Sequence, residues 1–257
     1  MKMNFKKKIK DFFYKSKRLR YTSVLAVIIL FLLVSPNIFV IFDPINKDKF
    51  FSDQNSELNL SSSNLEVPYY SQLDNRWRYD HMIDENGVDW GTVGNYGCAM
   101  TSTAMVLKYY SKDTDPGLFN AWLNSNNGYA SGALLYWTKG AEYSDGKMTY
   151  FEGLTFGDDQ YQHWDRLKSE LDNGYPVIVK VDKYPLTYEL DEHWVVVTGF
   201  IGGAVDEPSN YYINDPAEPA NTLLSVFYDA TYDNTIFALR IYHGLLEAKP
   251  VITVSLI

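Results

Sequence analysis

The apolar positions of this chain change rhythm along its length. Thr22–Phe42 (TSVLAVIILFLLVSPNIFVIF) is an unbroken uncharged run, long enough to cross a hydrocarbon core of ~30 Å as a helix. From Cys98 the spacing is helical: Met100, Ala104 and Leu107 share a face, and Ala99, Met105 and Val106 widen it. The pattern predicts a largely buried helix that opens at or just after Cys98. Trp164, Leu167 and Leu171 repeat the helical period, which predicts an amphipathic helix over Asp159–Asn173, stopped by Gly174. Short continuous apolar runs follow. Pro176–Val181 (PVIVKV), His193–Phe200 (HWVVVTGF) and Tyr211–Asp215 (YYIND) read as strands. The last ends at Pro216, which cannot donate to a ladder. Gly202–Ser209 contains Gly-Gly and Pro and is a loop. LSVFYDA and TIFALRIY, further on, read as additional strands. The order is one buried helix first and a sheet afterwards, an α+β arrangement.

Charge divides the chain in two. Residues 1–20 hold nine Lys or Arg against one Asp, so a chain of net charge −9 is +8 over that stretch and −17 beyond it. An acidic body is a poor partner for nucleic acid, which needs a basic surface. The basic start instead fits the cytoplasmic flank of the apolar run. The expectation is a basic cytoplasmic segment (1–21), a transmembrane signal anchor (22–42), a polar Ser/Asn-rich linker (43–64) and a domain from Leu65 to Ile257 outside the cytoplasm. A cleaved secretory signal is the alternative, disfavoured by the length of the run and the lack of an A-x-A-like site. Tyrosine is abundant, 21 of 257 residues, which suits half-buried strands. About 190 residues in the domain suffice for a single core.

One cysteine in the chain excludes an internal disulfide. A lone buried Cys is ordinarily filler, but the surroundings of Cys98 alter that reading. Turn-rich GTVGNYG precedes it, and a helix follows. A thiol at a helix N-terminus has its thiolate stabilised by free N–H groups and the helix dipole, and the same groups can hold an oxyanion. His193 sits at a strand entrance and Asp215 at a strand end. If those strands pair antiparallel, the two residues meet at one end of the sheet, and Asp215 can orient the imidazole. His81, His163 and His243 fit no motif and read as surface or structural residues. Neither HExxH nor paired CxxC spacing occurs, so no metal is expected, and nothing calls for an organic cofactor.

Five blocks in order carry a resemblance. VPYYSQLDNRW (Val67–Trp77), the GC-x-x-TS-x-AMVL block (Gly97–Leu107), LDNGYPVIVKV (Leu171–Val181), HWVVVTGF and YYINDP (Tyr211–Pro216) resemble the C39-like peptidases, a branch of the papain-like cysteine peptidases. The resemblance spans about residues 66–216. It implies a papain-like fold, an N-terminal catalytic helix on an antiparallel sheet. It also implies Cys98 as nucleophile, His193 as general base and acid, and Asp215 as the residue that orients and charges the histidine. Gln72 matches the family's early glutamine as an oxyanion donor, although Asp74–Tyr96 separate it from the cysteine. A solvent-facing loop glutamine is the other reading of Gln72. Many relatives have Gly-Pro after the cysteine, where this chain has Ala99-Met100. The implied partner is a peptide or protein substrate. An inactive relative that binds peptide or cell-wall material, and a cell-wall amidase or endopeptidase, are the competing functions. Bacteriocin-leader processing is disfavoured, since relatives that do it are attached to an ABC transporter and this chain has no GxxxxGK[ST] motif. The sequence gives no oligomeric state.

Overall fold

The computed structural model describes residues 63–156, 164–187, 189–230 and 234–245. In chain order the elements are strands β1 (Ser63–Asn64), β2 (His81–Ile83) and β3 (Asp89–Thr92), then helices α1 (Val93–Tyr96), α2 (Cys98–Tyr109) and α3 (Pro116–Ser125). Strands β4 (Tyr129–Ala130) and β5 (Leu134–Leu135), helix α4 (Thr138–Tyr143), strand β6 (Met148–Thr155) and helix α5 (Trp164–Asp172) follow. The remaining strands are β7 (Val177–Asp182), β8 (Glu192–Phe200), β9 (Tyr211–Asn214) and β10 (Ala238–Gly244).

One antiparallel sheet organises the molecule, in the order β1-β8-β7-β10-β6, with β9 also paired to β8. Strand β1 pairs with Gly199 and Phe200, so the sheet begins slightly before the expected domain boundary at Leu65. Strands β7 and β8 are buried at nearly every position because both of their faces are covered. Ile178, Trp194 and Val196 face one core with Met100, Ala104 and Leu107 of α2. Val177, Val179, Val181, Val195 and Val197 face a second core with Trp164, Leu167 and Leu171 of α5. Alternation of side chains along a strand produces this division.

The helix expected at Cys98 is present, and its residues Met100–Leu107 are all buried. The expected helix Asp159–Asn173 is seen as Trp164–Asp172, and residues 157–163 lie outside the described residues. Gly174 follows at φ 82°, the left-handed conformation that suits glycine after a helix. Two expected strands need correction. LSVFYDA is not a strand: Leu224–Phe227 forms a 3-10 turn because Leu224 and Phe227, three residues apart, both plug the second core. TIFALRIY becomes strand only from Ala238. The run Thr22–Phe42 and the tail from residue 246 lie outside the described residues, as does His163. Among the described residues no helix is long and apolar enough to cross a membrane.

Candidate active site

Three elements converge at one end of the sheet. Helix α2 presents Cys98 as its first residue, half-buried. The first intrahelical acceptor bond is Thr101 N–H to Gly97 C=O at 2.8 Å, so the amides of Cys98, Ala99 and Met100 precede the helical ladder. Gly97 makes the sharp entry possible. A Cβ there would fall against the Val93 carbonyl oxygen and 2.8 Å from Val93 Cγ1, and Val93 is fully buried. Gly97→Ala is therefore expected to displace Cys98 and to cost about 1–3 kcal/mol of overpacking. Urea unfolding together with the rate of Cys98 alkylation would check both effects. Farther along the helix, buried Ser102 donates its hydroxyl to the Trp194 carbonyl at 3.1 Å, tying α2 to the backbone of β8.

His193 is the second residue of β8, and Asp215 directly follows β9. The two strands pair antiparallel with Val196 opposite Asn214, so His193 and Asp215 meet as expected. His193 Nε2 lies 2.7 Å from Asp215 Oδ1, and both residues are only 2% exposed. Cys98 lies near enough to the same imidazole to act on its titration. With Nε2 committed to Asp215, Nδ1 is the nitrogen left for the thiol. Burial works to lower the His193 pKa, but the hydrogen bonds and charges of Asp215 and Cys98 outweigh it and raise the value to about 9. Burial pushes the Asp215 carboxyl up, and His193, the Asn221 amide and the Ala217 N–H together hold it below its ordinary value.

Gln72 is 3% exposed, so it is not a solvent-facing loop residue. Its backbone N–H donates to the Pro216 carbonyl, and its Nε2 donates to the Gly94 carbonyl at 2.9 Å. It lines a cleft with His193 and Asp215, and the second Nε2 hydrogen is the group free for an oxyanion. Asn221 and Phe227 were not anticipated. Asn221 Nδ2 donates to Asp215 Oδ2 at 2.8 Å, and the Phe227 ring packs on the imidazole at 5.8 Å. Both lie in irregular segments with no periodic pattern, and no local signal marks them. The other described histidines are structural or at the surface: His81 pairs with Asp89 on β2–β3, and His243 bonds Glu170 and stacks on Phe151 and Tyr175. No group of three or more metal-ligating side chains occurs among the described residues.

Two clefts adjoin the cysteine and histidine. The first, of about 290 Å³, is bordered by Cys98, Ala99, Tyr96, Leu134, Trp137 and Trp194. The second, of about 300 Å³, is bordered by His193, Asp215, Gln72, Lys183, Tyr184 and Asn221. The β7–β8 loop beside it is closed by Asp182, whose Oδ1 accepts the amides of Tyr184 and Asp191 at 3.0 and 3.1 Å. Burial raises the Asp182 pKa, and a side-chain hydrogen bond to Asp229 adds to the rise.

A cysteine at the head of a buried helix, facing a histidine and an aspartate on an antiparallel sheet, is the architecture of the papain-like cysteine peptidases. The model of the Peptidase_C39 like family matches residues 64–237, well over half of the chain, and the chain belongs to that family. No curated protein matches it. A crystal structure of a Bacillus anthracis protein described as a C39-like peptidase aligns with 15% identity and a TM-score of 0.41, over 72% of this chain and 99% of that one. At that score the assignment rests on the family model instead.

Proposed function

We propose that this chain is a cysteine peptidase in which Cys98 is the nucleophile, His193 the general base and acid, and Asp215 the residue that orients and charges the imidazole. The observation that carries this reading is the buried 2.7 Å bond from His193 Nε2 to Asp215 Oδ1, with Cys98 at the head of a helix near the same imidazole. The Cys98 thiolate attacks the scissile carbonyl carbon and a C–S bond forms. The developing oxyanion is held by the Cys98 N–H and Gln72 Nε2. Collapse breaks the C–N bond, and the imidazolium passes its proton to the departing amine. His193 then takes a proton from water, whose oxygen attacks the thioester and releases Cys98. A relative that only bound peptide would have no use for a buried carboxylate bonded to the imidazole, and this supports an enzyme over that alternative.

In this reading the substrate is a peptide or protein outside the cytoplasm. The chain is held at the membrane by Thr22–Phe42, with its basic N-terminus inside. The charge asymmetry across that run supports the orientation.

The test is the pH dependence of Cys98 alkylation by iodoacetamide in the full-length chain and in its His193→Ala variant. Fast labelling near pH 6, well below the ~8.5 of a free thiol, and at least tenfold slower labelling in the variant are expected. Equal, slow labelling in both would sink the proposal.

A further inference from the structure

The carboxylate of Asp215 serves His193 only when its plane is held. Rotation about the bond from Cβ to the carboxyl carbon is broad, so the side chain's own preferences do not fix that plane. Hydrogen bonds must do so. Oδ1 takes two donors, His193 Nε2 at 2.7 Å and the Ala217 N–H at 2.8 Å. Both act on one oxygen, and the carboxylate could still pivot about it. Oδ2 accepts from Asn221 Nδ2 at 2.8 Å, its one hydrogen-bond donor among the described residues. Asn221 is thus the second point that defines the plane, and it reaches Asp215 from outside both strands.

A short loop aims it there, and the residues of that loop specify its shape. Asp215 accepts the Ala217 amide on its own side chain, a local turn that aspartate favours. Glu218, Pro219, Ala220 and Asn221 then close a β-turn. The Asn221 N–H donates to the Glu218 carbonyl at 3.0 Å, and proline stands at the second position, where its fixed φ fits. Glu218 Oε1 also accepts the Ala220 N–H at 3.2 Å. Beyond the turn, the Thr222 carbonyl accepts the Ile213 N–H at 3.0 Å, which pins the chain back on β9. At its other end the loop is tied to residues 69–72. The Tyr69 hydroxyl donates to the Asp215 carbonyl at 3.1 Å. The Pro216 carbonyl accepts the Ser71 hydroxyl at 3.2 Å and the Gln72 N–H at 2.8 Å. The loop is irregular but tethered at both ends, so the Asn221 carboxamide has little freedom to leave Asp215.

We infer that Asn221 is a positioning residue of this peptidase: its carboxamide fixes the plane of the Asp215 carboxylate and, through it, the imidazole that serves Cys98. The inference rests on the peptidase reading above, and Asn221 itself touches no reacting atom. Without its N–H, Oδ2 is a buried acceptor with no partner, and the carboxylate turns away from the imidazole. The imidazolium then loses support, and less Cys98 thiolate is present at low pH. The other titratable groups around this carboxylate are Tyr69, Glu218 in the turn, and Lys183 and Tyr184 on the facing wall of the cleft. All are kept in every variant below.

The test is the pH profile of Cys98 alkylation by iodoacetamide in the full-length chain and four variants, with urea unfolding in parallel. Asn221→Leu removes the donor at nearly constant volume, and Asn221→Ala removes it by truncation. Asn221→Gln keeps the donor on a longer arm. Thr222→Ala changes the exposed neighbour. In Asn221→Leu and Asn221→Ala the low-pH rise is expected to move up by about one unit, a tenfold loss of rate on that limb. The rate near pH 10, where the thiol ionises unaided, should stay unchanged. Asn221→Gln is expected to recover most of the shift, and Thr222→Ala to show none. A lowered urea midpoint with an unmoved profile would mean that Asn221 only holds the loop, and that result overturns this inference alone. So does a shift of equal size in Thr222→Ala or Asn221→Gln. Slow labelling of the native chain everywhere below the ~8.5 of a free thiol overturns the peptidase reading and this inference with it.

Discussion

Asp215→Ala is expected to lower stability by about 3–5 kcal/mol and to slow peptide hydrolysis by about a thousandfold. The substitution removes the carboxylate that balances a buried imidazolium, and it strands the Asn221 amide and the Ala217 N–H that bond to it. Urea unfolding and turnover of a fluorogenic peptide would measure the two effects. Asp215→Asn separates them. An amide oxygen can still accept from Nε2–H, so orientation survives while the charge is lost. The variant should fold with a smaller penalty, and the basic limb of its pH–rate profile should move downward. A basic limb unmoved by Asp215→Asn would show that the carboxylate charge does not act on His193.

Stability itself is expected to fall between pH 6.5 and about 9. His193 has a folded pKa raised from 6.5 to about 9, so its protonated form favours the native state. That contribution is fully present below 6.5 and is lost as pH rises through 9. Its size is on the order of 3 kcal/mol. The carboxyls work in a different window. The lowered Asp215 contributes above its unfolded value near 3.8 and is lost in acid, whereas the raised Asp182 disfavours folding as pH rises above that same region. Denaturant midpoints measured across pH 6–10 in the native chain and in His193→Gln would isolate the histidine. A slope that persists in the variant would refute the assignment.

The parts of the site that were legible in the sequence sit on regular elements. Cys98 opens a helix whose apolar spacing is visible over ten residues, and His193 and Asp215 bound strands made of unbroken apolar runs. Burial on both faces writes such runs into the sequence. Antiparallel pairing of the His193 and Asp215 strands then follows from a connecting loop too short to hold a crossover helix. The groups that complete the site are less legible. Asn221 and Phe227 reach it from a segment whose path is set by tertiary packing, and Leu224–Phe227 looks like a strand because three of its four residues are apolar. Helix α3 carries its start signal in the sequence. Asp115 accepts the Leu118 N–H as its cap and Pro116 stands at the first helical position. The edge strand β6 alternates less and more exposed positions over Met148–Thr155, a signal too short to separate from loop without its neighbour β10.

Strand β8 carries His193 between two cores, and this has a consequence for how such a protein can be altered. Nearly every β8 side chain after Glu192 is committed on one face or the other, so the chemistry is borne by the part of the molecule least able to accept change. The exposed residues Ser131 and Leu134 of the β4–β5 hairpin and Tyr184, Leu186 and Thr187 of the β7–β8 loop are under no such constraint. New selectivity can be sought there without unsettling the reacting groups, and a variant library confined to those five positions would put that freedom to use.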